Sequence, residues 1–355
     1  MRPVFSATGL LITVTIIMCL TLLPIGCERR SPSMTALAQV PQRHTVVGYE
    51  RAEFGAGWGS STTRPGCLVR AGEADVILVD GAGFVLLDEA EASSSNAPVL
   101  LRLTGDEATR AAEGATASFI GVARGRSVVA IEVNRDEVRG RWEHLRAVGW
   151  QLDGDDAALA LTALALASWH RAYRFCPRCG APVQLVSGGW AARCEACDRL
   201  EYPRQDPAVI VLVRDRRDRV LLAHNALWKP GFVSLIAGYV EAGESPDVAV
   251  AREVSEEVSV AIEDVSYVAT QPWPFGRSQM MGYRARTAEE APTPIADGVE
   301  IEWARFFSRG QLAEALEGGD VSAPGRSSIA YAMLAQWYGG DLPEGPGTRD
   351  APERG

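Results

Sequence analysis

GYVEAGESPDVAVAREVSEEVSV, residues Gly238 to Val260, is the stretch whose reading decides the rest of the chain. Its middle is laid out as a helix. Ser245 offers a hydroxyl cap, Pro246 takes the first helical position, where no amide donor is needed, and Asp247 sets a carboxylate at the positive end of the dipole. Glu253, Glu256 and Glu257 follow at i, i+3 and i+4, which crowds three carboxylates onto one face within about 5–6 Å. Like charges at that spacing destabilise a bare helix. A hard divalent cation, which prefers oxygen ligands, makes sense of them. A solvated acidic face is the plain alternative, and the carboxylates alone leave both readings open. Val248, Ala249 and Val250 near the start and Val254 and Val258 further on are expected to pin this helix to a sheet.

The neighbouring segments supply that sheet. Ala208–Val213 is an apolar strand, Asp215–Asp218 a polar turn and Val220–Ala223 the return strand, while Phe232–Ala237 runs into Gly238. Strand, turn, strand, strand and acidic helix suit a mixed α/β sandwich. Downstream, Thr270 to Ser278 reads TQPWPFGRS. Its two prolines disfavour a central strand, so the segment is expected to be a stiff loop presenting two aromatic rings for stacking on a base. The segment DGVEIEWARFF, residues 297–307, sets Glu300 and Glu302 before an aromatic strand end. A last helix is expected over 327–338, and from Gly339 to 355 a disordered tail of Gly, Pro and charge.

Upstream lie two C-x2-C pairs, Cys176/Cys179 and Cys194/Cys197. Each pair makes a turn that points two thiolates at one centre, and two such turns close a tetrahedral S4 site for structural zinc. The other three cysteines, Cys19, Cys27 and Cys67, are scattered, so the seven do not read as a disulfide framework. Arg178, Arg193 and Arg199 make only a thin basic patch. Before the cysteines a helix is expected with Asp155 and Asp156 at its start and His170, Arg171 and Arg174 at its end, matching the dipole. His170 there reads as a helix-end charge rather than a ligand.

The region from Met34 to Gly149 is mostly short strands. Val76–Val79 and Phe84–Leu87 flank Asp80-Gly81 as one hairpin, and Ser118–Val122 with Val128–Val133 form another. Ser93–Asn96 is a loop. No catalytic constellation stands out, and a structural or dimer-forming role is expected. Residues 1–33 differ from the rest: the run from Thr8 to Gly26 carries no charge. A mis-called start ahead of Met34, a membrane anchor and a cleaved leader all remain open. Reduced thiolates downstream favour the cytoplasm. At 355 residues the chain suits two or three domains, and a formal charge of −10 argues against a general nucleic-acid binder.

The Gly238–Val260 stretch resembles the Nudix box, G-x5-E-x7-R-E-U-x-E-E-x-G-U with U aliphatic. Gly238, Glu244, Arg252-Glu253-Val254, Glu256-Glu257 and Val260 match; Ser259 stands where the family has glycine, at a cost of about 1 kcal/mol at most. The order of zinc ribbon, Tyr202-Pro203, box and a motif near S-Q-P-W-P-F-P-x-S resembles the NADH pyrophosphatase branch of the Nudix hydrolases, which also removes NAD caps from RNA. The likeness covers roughly residues 140–338. Thr270 and Gly276 depart from the downstream motif. Gly189 and Trp303 stand where some members have acids and are not carried over.

The resemblance implies an α+β protein: an α/β/α sandwich over 205–338, preceded by a ribbon over 171–204 and a β-rich domain over 34–170. It implies one structural zinc on Cys176, Cys179, Cys194 and Cys197. It implies two or three magnesium or manganese ions on Glu253, Glu256, Glu257 and Glu300 with the Ala237 carbonyl, and Arg252 orienting a glutamate. Tyr202, Tyr239, Gln271, Pro272, Trp273, Pro274, Phe275, Gly276, Arg277, Ser278 and Ala330 would line the dinucleotide pocket, with Arg146 touching substrate. The implied substrates are NAD(H), related dinucleotides and NAD-capped RNA 5′ ends, and the implied assembly is a homodimer. Hydrolysis of another nucleoside diphosphate derivative (ADP-ribose or a diadenosine compound) and a non-catalytic, ligand-sensing module are the alternatives.

Overall fold

The computed structural model describes residues 65–89 and 97–345. The leader 1–33, Ser93–Asn96 and the end of the tail, 346–355, lie outside the described residues.

The N-terminal part runs α1 (Pro65–Arg70), β1 (Ala74–Asp80), β2 (Phe84–Leu87), α2 (Gly105–Ala112), β3 (Ala117–Ala123), β4 (Arg126–Glu132), β5 (Arg141–His144), α3 (Leu145–Val148) and α4 (Gly154–Ala172). Both expected hairpins are present: β1 pairs antiparallel with β2, Asp80 opposite Phe84, and β3 pairs with β4. The sheet order is β3-β4-β1-β2-β5, with β1 and β4 parallel. Leu159, Ala160, Ala163 and Leu166 of α4 pack on Ile77, Val79, Val85 and Leu87 in one apolar cluster. Asp153 caps α4 by accepting from the Asp156 amide at 2.8 Å.

Asp156 does more than face a dipole. Fully buried, it pairs with Arg102 at 2.6 Å and accepts the Leu100 amide at 2.9 Å. At the other end Arg174 lies past the last helical residue, Ala172, and His170 is no helix-end charge. Burial holds its ring below the usual histidine range, and Nε2 meets the Gly189 carbonyl at 2.7 Å. A neutral imidazole ties α4 to the next module.

That module is a three-stranded sheet of β6 (Val183–Val186), β7 (Ala191–Cys194) and β8 (Leu200–Glu201). The Trp190 indole donates to the Phe119 carbonyl at 2.6 Å, joining it to β3.

The C-terminal part runs β9 (Asp206–Arg214), β10 (Val220–Asn225), β11 (Ile236–Tyr239), α5 (Pro246–Val258), β12 (Ile262–Trp273), β13 (Ser278–Thr287), β14 (Ile301–Phe307), α6 (Arg309–Gly318) and α7 (Ile329–Tyr338). The sheet order is β12-β13-β9-β10-β14, with β11 on β9. Successive side chains of a strand face opposite ways. Val209 and Val211 therefore pack with α5, while Ile210 and Leu212 pack with α6 and α7. A strand covered on both faces reads as an unbroken apolar run, which is how β9 looks in the sequence.

Three expectations need correction here. Val248 does not pin α5: it is 54% exposed, and the buried face is Ala249, Val250, Val254, Glu257 and Val258. Thr270 to Trp273 is not loop but the end of β12, with Pro272 opposite Gln279. Proline is tolerated there because β12 is an edge strand, and only Pro274–Arg277 turns. The tail does not leave the fold at Gly339, because Leu342 is buried in the α6/α7 core. Ser259, by contrast, takes the left-handed conformation a glycine would favour there, at φ 54°.

Candidate active site and zinc site

Helix α5 carries the acids, and β11 brings the backbone beneath them. Gly238 is needed because a Cβ there would lie 2.0 Å from Glu253 Cδ. Arg252 organises the cluster. Its Nε and Nη2 donate to the two oxygens of Glu244 at 2.8 and 2.9 Å, Nη1 donates to Glu253 Oε1 at 2.8 Å and Glu256 Oε2 at 3.0 Å, and Nη2 also reaches the Tyr239 carbonyl. The guanidinium holds the Glu244 carboxyl down to about 2, with help from the Glu241 amide. Ser245 stands at the N-cap position but makes no side-chain bond to the helix amides; its hydroxyl bonds Asp247 instead.

Glu257 is placed differently. It is only 6% exposed, and no arginine, lysine or histidine among the described residues pairs with it. Burial first, then the charges of Glu300, Glu253, Asp297 and Glu256, push its carboxyl up to about 8. Burial raises Glu253 as well. Glu300 is steadied by Asn225, whose Nδ2 donates to Oε1 at 3.2 Å. Asp297 accepts the amides of Val299, Glu300 and Ile301, fixing the turn that presents Glu300. A buried carboxyl under the charge of neighbouring acids is a donor of the oxygen kind a hard divalent ion takes, although among the described residues only the four cysteines close into one ligand cluster. Ala237 precedes Gly238 in β11, part-buried against α6 and α7.

The TQPWPFGRS segment meets the N-terminal part of the chain. Trp273 and Phe275 stand edge to face at 4.9 Å, and the Arg146 guanidinium lies 4.6 Å from the Phe275 centroid and 5.4 Å from that of Trp273. Arg277 pairs with Asp206 at 2.8 Å. Buried Ser278 faces the Tyr239 hydroxyl at 3.4 Å. Gln271 spends its amide on the start of α7: Nε2 donates to the Ser327 carbonyl and Oε1 accepts from Ile329. That staple sets Ala330, buried in the first turn of α7. Tyr202 and Tyr239 are both largely exposed, and no bond joins Tyr202 to this cluster among the described residues.

In the ribbon, Cys176 and Cys197 sulfurs lie 3.7 Å apart, Cys179 and Cys194 3.4 Å, Cys179 and Cys197 3.7 Å, and all four fall within 4.8 Å of one another. A zinc tetrahedron with bonds of about 2.3 Å spaces its sulfurs by roughly 3.8 Å, so the cluster has the dimensions of a closed S4 zinc site. The Cys197 amide, then that of Ala196, pulls the Cys194 thiol down to about 6, toward the thiolate that binds metal.

Over 204 residues the chain is similar to a protein of Stutzerimonas stutzeri (strain A1501) named NAD-capped RNA hydrolase NudC, with 40% of positions identical, covering 58% of this chain and 70% of the relative. The chain belongs to the NADH pyrophosphatase branch of the Nudix family. The matched domain families follow one another along the Nudix chain: the NADH pyrophosphatase-like rudimentary NUDIX domain over 73–169, the NADH pyrophosphatase zinc ribbon domain over 171–202 and the NUDIX domain over 204–324. A relative of the same name from Mycobacterium bovis (strain BCG / Pasteur 1173P2) is 41% identical over 201 residues, 54% of this chain and 64% of the relative. The chain thus spans a little under two thirds of the mycobacterial relatives' length. A solved Nudix hydrolase from Nitrosomonas europaea aligns with 48% of this chain and 96% of its own at 21% identity and a TM-score of 0.36.

Two residues that support the Nudix acids escaped the sequence reading, Asn225 and Asp297. Asp297-Gly298 carried a signal, since aspartate before glycine marks a turn built on side-chain-to-backbone bonds. Asn225 carried none, because its partner Glu300 is distant in sequence.

Proposed function

We propose that this chain hydrolyses the pyrophosphate of NAD(H), giving nicotinamide mononucleotide (reduced from NADH) and AMP, and trims NAD-capped RNA to nicotinamide mononucleotide and a 5′-monophosphate end. The observation that carries the reading is the buried Glu257 carboxyl, which feels the charges of Glu253 and Glu300 and which no arginine, lysine or histidine among the described residues pairs with. Glu253, Glu256, Glu257, Glu300 and the Ala237 carbonyl would hold magnesium or manganese, two or three ions in all. Such ions offset charge on a pyrophosphate and lower the pKa of a bound water. Arg252 fixes Glu253 and Glu256 in place, and a carboxylate of α5 accepts the proton of the attacking water. Trp273, Phe275 and Arg146 orient the dinucleotide, together with Tyr202, Tyr239, Gln271, Pro272, Pro274, Gly276, Arg277, Ser278 and Ala330.

The names of the relatives favour this substrate class, and so does the TQPWPFGRS segment over a Nudix enzyme of ADP-ribose or diadenosine compounds. The family likeness supports a homodimer. No described helix is long and apolar enough to cross a membrane, and the thiol-rich ribbon favours the cytoplasm. The test is a panel of NADH, NAD, ADP-ribose and NAD-capped RNA with protein starting at Met34, in magnesium or manganese. NADH and capped RNA should lead. Equal rates on all four would overturn the branch-specific reading, and turnover surviving complete removal of divalent ions would overturn the chemistry.

A further inference from the structure

Three contacts meet at His144, the last residue of β5, which belongs to none of the motifs above. Its ring stacks on Phe275 with centroids 5.1 Å apart and planes 25° from parallel, and it takes the edge of Phe84 at 5.0 Å. Its Nδ1 accepts the amide of Arg146 at 3.2 Å and so caps α3, the short helix that carries Arg146. Nδ1 is therefore the unprotonated nitrogen and Nε2 bears the ring hydrogen, with the backbone of Ala82 a further hydrogen-bond partner of the ring. Gly83, at φ 104°, closes the space behind: a Cβ there would lie 2.6 Å from His144 Nε2 and 3.0 Å from Phe275 Cε1. One neutral ring thus touches Phe275 and fixes the backbone from which Arg146 reaches over the same Phe275.

We propose that His144 is a positioning residue for substrate binding: in its neutral form it holds both the plane of Phe275 and the cap of α3, and its protonation breaks that cap. The proposal rests on Phe275 and Arg146 serving the dinucleotide pocket. Protonated Nδ1 becomes a donor facing the Arg146 amide, another donor, so the cap is lost. The charged groups acting on the ring are Arg146 from α3 and Arg135 from the turn after β4, both cations, and they oppose a third positive charge. Burial acts in the same direction and more strongly, holding the ring below the ordinary histidine range.

Two measurements decide it. KM and kcat for NADH are followed from pH 5.5 to 8 in wild type, His144→Asn and His144→Phe. Asparagine keeps a capping acceptor without the ring, phenylalanine keeps the ring without the cap, and neither titrates. Wild-type KM should climb as pH falls through the ring's folded-state pKa, which lies below the ordinary histidine value, toward about tenfold per pH unit. The same climb should vanish in both variants, while the acid limb of kcat, set by the glutamates, stays shared by all three. At pH 7.5 His144→Asn should raise KM about fivefold through the lost stack. Variants that keep the wild-type KM profile would overturn the proposal.

The second measurement needs no turnover. The chain has four histidines, few enough for their ring signals to be resolved by NMR. The His144 ring signals should sit upfield under Phe275 and move to ordinary positions in Phe275→Leu, leaving the other three in place. No movement would overturn the stack. A wild-type protein that splits no dinucleotide would sink the functional reading while this result still stood or fell by itself.

Discussion

Arg252 grips Glu244 through two parallel hydrogen bonds, Nε to Oε1 at 2.8 Å and Nη2 to Oε2 at 2.9 Å. The fork leaves Nη1 to draw in Glu253 and Glu256, so one guanidinium orients acids on both the loop and the helix. Lysine offers a point charge and no fork. Arg252→Lys should therefore lower kcat/KM about 10–100-fold, as losing a ligand-orienting partner does, with little change in the circular dichroism of the folded protein. Full activity in that variant would show that the acids orient themselves.

Burial of Glu257 among other acids costs the fold stability. Its carboxyl is buried under the charges of Glu300 and Glu253, and no arginine, lysine or histidine among the described residues pairs with it. Glu257→Gln removes that repulsion and should raise metal-free stability by about 1–3 kcal/mol, read from denaturant unfolding in EDTA. Added magnesium should then stabilise wild type more than the variant, whose turnover should fall at least about a hundredfold.

The four ribbon sulfurs predict one zinc per chain by elemental analysis. Cys197→Ser should lose that zinc and, because metal-binding energy is folding energy in such modules, lower the melting temperature. The loss should reach α4 and β3, to which His170 and Trp190 tie the ribbon, and hydrogen exchange there should rise.

His170 predicts an acid limb of stability. Its folded-state pKa lies below 6.5, chiefly through burial, so the unfolded chain binds the proton more readily. The contribution is intact above pH 6.5 and is lost as pH falls through the folded value, with a slope of up to about 1.4 kcal/mol per pH unit. His170→Gln should flatten this limb between pH 7 and 5. An unchanged limb would assign it to other groups.

Gly276 has no left-handed φ, and a Cβ there would find its nearest neighbours at 3.7 and 4.0 Å, Ser278 Oγ and Tyr239 Oη. Gly276→Ala should stabilise the turn by about 0.4–1 kcal/mol through the unfolded state, read from denaturant unfolding.

How much of this was readable in advance depends on how local the cause is. Glu253, Glu256 and Glu257 share a face because helical spacing alone puts them there. The left-handed backbone at Ser259 followed from its place at a helix end. Pro272 misled, because proline forbids a central strand and not an edge one, and edge or centre is a property of the finished sheet. Val248 misled for a like reason: which valines of α5 face inward depends on where the sheet lies.

By itself, the sequence determined the acidic helix, the two cysteine turns and the order of the three modules. Each of these rests on spacings of a few residues that the backbone's own periods enforce. Only the tertiary structure decided that Gln271 staples α7 instead of standing free, that Asn225 steadies Glu300 and that His144 lies against Phe275. Those pairs are joined by sheet order and by packing between modules, where contact depends on how whole surfaces fit and no local repeat records it.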